Sequence, residues 1–155
     1  MLEITPLDTR GYFMLPQAPE DAGYYVYGTP GLGASQYAHP KLMTVILFVE
    51  REWQTIDQRK FGIGNISLAG GIKHPNHTSH MKGLEVDVRP LRKDGRHEAV
   101  RYFDSAYDGA GTEKLINIFR FYAPGKMTIF FNDNRIPGVR HRDKHDNHFH
   151  FEIAS

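Results

Sequence analysis

The segment "GLEVDVRP" (Gly83–Pro90) alternates strictly between apolar and polar residues. Successive side chains on an extended chain point to opposite sides, so Leu84, Val86 and Val88 share one face and Glu85, Asp87 and Arg89 the other. Pro90 has no N–H to offer a neighbouring strand and marks the end. "HFHFEI" (His148–Ile153) repeats the pattern: Phe149, Phe151 and Ile153 on one side, His148, His150 and Glu152 on the opposite one. Both segments predict a sheet with an apolar face turned to a core and an ionisable face turned away from it.

Working outward, "FGIGNIS" (Phe61–Ser67) and "KMTIFFN" (Lys126–Asn132) read as further short strands. Between His39 and about Gln58, Leu42, Val45, Ile46, Val49, Trp53 and Ile56 recur at three- and four-residue steps and predict an amphipathic helix, with Pro40 suited to its first turn. A second helix is predicted from Thr112, read as its N-cap, to Tyr122. Residues 1–37, rich in Gly, Pro and Tyr, read as short strands and loops wrapped on the domain. The order predicts an α+β fold, a small antiparallel sheet with helices packed on it, as one domain over residues 1–155.

Composition narrows the function. With 40 % hydrophobic and 24 % charged residues, the chain has an ordinary globular make-up. A net charge of +1 gives no electrostatic case for nucleic acid as a partner. "LMTVILFVEREW" (Leu42–Trp53) is broken by charges before it could span a bilayer, so no membrane partner is expected. The absence of cysteine removes thiolate nucleophiles, Cys-rich zinc fingers and disulfides together. The first residues show no basic region followed by a long apolar run, so no secretory signal is expected.

Seven of the nine histidines gather in two places. "HTSHMKGLEVD" offers His77, His80 and Asp87, and "HDNHFHFEI" offers His145, His148 and His150. Zinc favours imidazole with an occasional carboxylate, and a catalytic site takes three protein ligands and leaves a fourth position open. His80 at a loop end, Asp87 on a strand and His150 on a neighbouring strand would make such a set, with Gly83 giving an unhindered turn between the first two. On its own, H-x-H also suits the polar face of an edge strand. His39, ahead of the first helix, reads as a capping or packing residue near Tyr37. His74 and His141 read as loop solvation, and Trp53 as a core aromatic.

"GNISLAGGIKHPNHTSHMKGLEVDV" together with "HDNHFHFEI" resembles the penicillin-insensitive murein endopeptidases. These sit in the wider group of zinc peptidases that includes lysostaphin-type enzymes, D-Ala-D-Ala peptidases and the hedgehog signalling domain. The likeness runs from "QYAHP" (Gln36–Pro40) through both clusters, roughly the last three-quarters of the chain. It implies a hedgehog-like fold with Zn2+ on the open face of the sheet, held by His80, Asp87 and His150. It implies His148 as the catalytic histidine and His145 as its assistant. His77, Asp94 and His97, the last two in "DGRH", match positions of additional metal contacts. "GNIS" departs from the family in carrying Asn65 where relatives commonly have Asp.

The implied activity is hydrolysis of an amide in peptidoglycan peptides, most closely a D,D-endopeptidase on D-Ala–meso-diaminopimelate cross-links. A D,D-carboxypeptidase, an L-Ala–D-Glu endopeptidase and a non-catalytic zinc-containing binding module are the alternatives. A metal-dependent nuclease using "HDNH" is disfavoured by the missing basic stripe. The expected setting is the bacterial periplasm or cell wall, reached as a phage lysin or as a delivered antibacterial effector with an immunity or delivery protein as partner.

Overall fold

The computed structural model describes residues 6–155, so the first five residues of the predicted N-terminal wrap lie outside the described residues. Seven strands and two helices follow one another: β1 (Phe13–Met14), β2 (Tyr24–Val26), β3 (Tyr37–Ala38), α1 (Pro40–Ile56), β4 (Phe61–Ile63), β5 (Glu85–Arg89), α2 (Gly109–Tyr122), β6 (Met127–Phe130) and β7 (Phe149–Ile153). β1 and β3 form a small antiparallel pair, and the other five strands make one sheet in the order β2-β4-β5-β7-β6.

The fold is α+β as expected, but the sheet is mixed rather than purely antiparallel. β2 and β4 run parallel, whereas β4–β5, β5–β7 and β6–β7 are antiparallel. The reason lies in the connection: the chain leaves β2, passes through β3 and α1, and returns to β4, the kind of long crossover that parallel neighbours require.

α1 keeps the predicted apolar stripe buried, with Leu42, Val45, Ile46, Val49 and Trp53 inside. Ile56, at its last turn, is exposed. His39 caps the helix by accepting from Lys41 N–H through Nδ1 at 3.1 Å, and its ring meets Tyr12 edge-on rather than Tyr37. α2 begins four residues earlier than predicted. Its N-cap is Asp108, whose carboxylate accepts from Gly111 N–H at 3.0 Å. Thr112 lies inside the helix, where its hydroxyl accepts from Leu91 N–H and donates to the Asp108 carbonyl.

Both helices lie against the apolar face of the sheet. Phe119 of α2 packs on Phe61, Phe149 and Phe151, and Trp53 of α1 meets Phe61 edge-on. Each buried aromatic contributes about 2–3 kcal/mol through removal of apolar surface from water. The opposite face is not open to solvent along its length. Glu85, Asp87 and His150 are all buried, because the segment from Asn65 to Leu84 folds over them.

Candidate metal centre

β5 and β7 pair in a register that sets Asp87 directly opposite His150 and Glu85 opposite Glu152. Sixty-three residues of sequence therefore close to a contact in which His150 Nδ1 lies 3.0 Å from Asp87 Oδ1. His80 arrives from above. It is buried, holds a left-handed φ of 61°, and brings Nε2 to 3.3 Å from the same oxygen. The turn that follows depends on Gly83, at φ 69°, where a Cβ would stand 2.8 Å from the His39 backbone nitrogen.

The tautomers follow from the hydrogen bonds. His80 Nδ1–H donates to the Ile66 carbonyl at 3.0 Å, which leaves Nε2 facing the Asp87 carboxylate. A ring lone pair beside a carboxylate oxygen is repulsive unless a cation or a proton lies between them, so this pair of atoms fits a metal ion. Donors on a tetrahedral ion with bonds of about 2.0–2.1 Å stand roughly 3.3 Å apart, close to the spacings here. The donor atoms of His77, His80 and Asp87 all lie within 4.8 Å of one another, a largely buried group able to bind a metal ion.

His77 is placed differently from the other two. Its Nε2 is 3.9 Å from Asp87 Oδ2 but only 2.8 Å from Asn65 Nδ2. The Asn65 amide cannot be reversed without loss, because its Oδ1 already accepts from Thr29 N–H and Ser35 Oγ–H. Nδ2 therefore donates to the His77 ring and engages the lone pair that a metal would use. Burial pushes the His77 pKa down to about 4, so the ring is neutral near pH 7.

The second cluster stands beside the first. His148 precedes β7, half-buried, with Nε2 3.8 Å from Asp87 Oδ1 and Nδ1–H donating to Asn147 Oδ1 at 2.9 Å. Burial lowers its pKa to about 4. His145 packs its ring 4.6 Å from that of His148 and donates Nδ1–H to the Asp143 carbonyl. Burial works against a charged His150, but Asp87 and Glu85 outweigh it and raise its pKa to about 9. Asp87 shows the reciprocal effect: burial would raise its pKa, and the adjacent His150 and His80 rings bring it well below the usual carboxylate range.

His80, Asp87 and His150 thus converge, with His77, His148 and His145 around them. Asp94 and His97 do not join any metal-capable group among the described residues. Asp94 pairs with Arg92 at 2.6 Å, and the His97 ring stacks on Tyr25 at 4.2 Å. His74, expected to be solvated, is buried with Nε2 2.8 Å from the Thr29 carbonyl. Glu85 is a polar residue whose part at the site was not anticipated, and Asn65, noted only as a departure from the family's Asp, holds His77. Glu85 shares the strand face of Asp87, which is a visible signal, whereas the partners of Asn65 come from distant loops. No family model matches the chain, and a search of curated proteins finds no match.

Proposed function

We propose that the protein is a zinc-dependent hydrolase of peptidoglycan peptides, with the metal held by His80, Asp87 and His150. The observation that carries this reading is the buried Asp87 carboxylate, which has a ring nitrogen of His80 at 3.3 Å and one of His150 at 3.0 Å, with His148 beside them. The residue types fit zinc: two imidazoles and one carboxylate would hold it and leave one position of a four-coordinate ion for water or substrate. A zinc ion in such a set supplies Lewis acidity, polarising a scissile carbonyl and lowering the pKa of water towards about 7.

The chain's own residues divide the remaining work. Asp87 orients both imidazoles and supplies negative charge. His148 is neutral near pH 7 and, with Nδ1–H committed to Asn147, accepts a proton at Nε2 and returns it to the departing amine. His145, similarly fixed through Nδ1, supports that ring from the solvent side. The likeness to murein endopeptidases gives the bond class: an amide of wall cross-links, D-Ala to meso-diaminopimelate first. D,D-carboxypeptidase and L-Ala–D-Glu endopeptidase activities use the same chemistry on other wall amides. The wall lies outside the cytoplasm, so the reading places the protein in the periplasm or wall of a bacterium, as a lysin or a delivered effector.

Digestion of purified peptidoglycan, followed by mass analysis of the released muropeptides, tests this directly. The expected result is loss of cross-linked dimers in favour of monomers, abolished by a chelator and restored by zinc. Zinc binding without any new muropeptide would point instead to a binding module. Digestion unaffected by chelation would remove the metal reading altogether.

A further inference from the structure

One carboxylate reaches both His80, at its backbone, and His150, at its ring. Glu85 is 9 % exposed and accepts from the backbone N–H of His80 through Oε2 at 2.5 Å. Its Oε1 lies 3.7 Å from His150 Nε2, the ring nitrogen turned away from Asp87. That nitrogen is buried and has no hydrogen-bond partner among the described residues. Glu152 stands opposite Glu85 in the β5–β7 register, with Oε2 3.9 Å from the same nitrogen and its side chain 42 % exposed.

Two carboxylates facing each other across neighbouring strands repel. Among the described residues, histidine is the only ion-pair partner of either one. The arrangement calls for a positive hydrogen between them, and the Nε2–H of His150 is placed to supply it. A ring that donates from Nε2 presents its lone pair at Nδ1, on the Asp87 side. His80 is fixed in the complementary sense by the Ile66 carbonyl.

We infer that Glu85 is the positioning residue of the metal centre, gripping the His80 backbone with one oxygen and facing His150 Nε2 at ion-pair distance with the other. The inference rests on the reading of His80, Asp87 and His150 as the ligand set. Imidazoles that bind metal generally pass their second N–H to a carboxylate or carbonyl, which fixes the ring and raises its basicity; loss of that partner weakens metal affinity ten- to a hundredfold. Glu85 is suited to the task by burial and by its hold on the left-handed His80 backbone. Glu152, on the solvent side, is not.

The test uses the full chain with Glu85→Gln, which keeps an acceptor for His80 N–H and the side-chain volume, and Glu152→Gln as the comparison. Zinc affinity is read by chelator competition, and the His150 ring by nitrogen-15 NMR with and without zinc. The expected result is one zinc per wild-type chain and a ten- to hundredfold weaker affinity in Glu85→Gln. Glu152→Gln should stay within about threefold of wild type. The His150 Nε2–H signal should shift or exchange faster in Glu85→Gln alone, with the thermal midpoint of the zinc-free protein little changed. Wild-type zinc binding with Glu85→Gln within twofold of it and an unmoved His150 signal would overturn this assignment alone. A wild-type chain that binds no zinc would overturn the metal reading and the inference together. Two zinc ions per chain, one of them lost in both variants, would show that Glu85, Glu152 and His150 Nε2 hold a cation of their own and not a positioning hydrogen.

Discussion

Asp87 is held at 5 % exposure with four imidazoles within 3.9 Å of it, His150 Nδ1 the nearest at 3.0 Å. An isolated carboxylate there would be too costly to bury, so the surrounding rings are a condition of the fold as well as of any chemistry. The rings differ in what each can lose. His150→Ala should abolish zinc binding, whereas His148→Ala should keep zinc and lose turnover by roughly 10²–10⁴-fold. Zinc content by mass spectrometry and muropeptide release separate the two, and full activity in zinc-loaded His148→Ala would rule out its role in proton transfer. Asn65 gives a subtler case. Asn65→Asp removes the donor that His77 Nε2 accepts, so the His77 ring should turn over to the Nε2–H tautomer, visible as exchanged nitrogen-15 shifts. That His80, Asp87 and His150 would meet could be read from strand periodicity and ligand chemistry. That His74 would be buried could not, because its partner is a carbonyl of Thr29, forty-five residues away.

The elements show the same division. The two alternating strands were legible because period two is set by the backbone itself. The start of α2 was not, since Gly109, Ala110 and Gly111 carry no apolar stripe and only the Asp108 carboxylate marks the cap. Phe149 links element to site: it sits between His148 and His150, with its ring against Phe119 and Phe131. Phe149→Ala should destabilise by about 3–5 kcal/mol, measured by denaturant unfolding, and weaken zinc binding as the strand shifts. At the N-terminal wrap, Asp8 accepts from Arg10, from Tyr12 N–H and from Gly70 N–H, tying β1 to the turn at Ala69–Gly71. Burial works to raise its pKa, but these hydrogen bonds prevail and lower it to about 2. A depressed carboxylate pKa stabilises the fold above its unfolded value of 3.8 and loses that contribution as pH falls towards 2. Asp8→Asn should therefore cost about 1–2 kcal/mol at pH 7, and its deficit against wild type should shrink between pH 4 and pH 2 in urea titrations.

At the scale of the molecule, one continuous core runs from Leu15 to Ile153, and Asp87 and His150, in the candidate metal site, lie on the strand faces opposite the core residues Val86, Val88, Phe149 and Phe151. Helix count, class and the polar face of the sheet were all within reach of pattern reading. The parallel pairing of β2 with β4 was not, because strand order depends on where α1 delivers the chain and no local signal records it. The roof from Asn65 to Leu84 was likewise beyond periodicity, being held by single hydrogen bonds such as His80 to Ile66 and Asn65 to Thr29.

The register between β5 and β7 also bears on time. Asp87 and His150 meet only after the intervening chain, including α2 and β6, has been brought back on itself, and closing long loops slows folding. A site that depends on this closure is expected to form late, after the rate-limiting barrier. Zinc should then leave the refolding rate nearly unchanged and slow unfolding, so that stopped-flow chevrons with and without zinc share one arm and separate on the other. Equal effects on both arms would place closure of the β5–β7 pair within the folding nucleus.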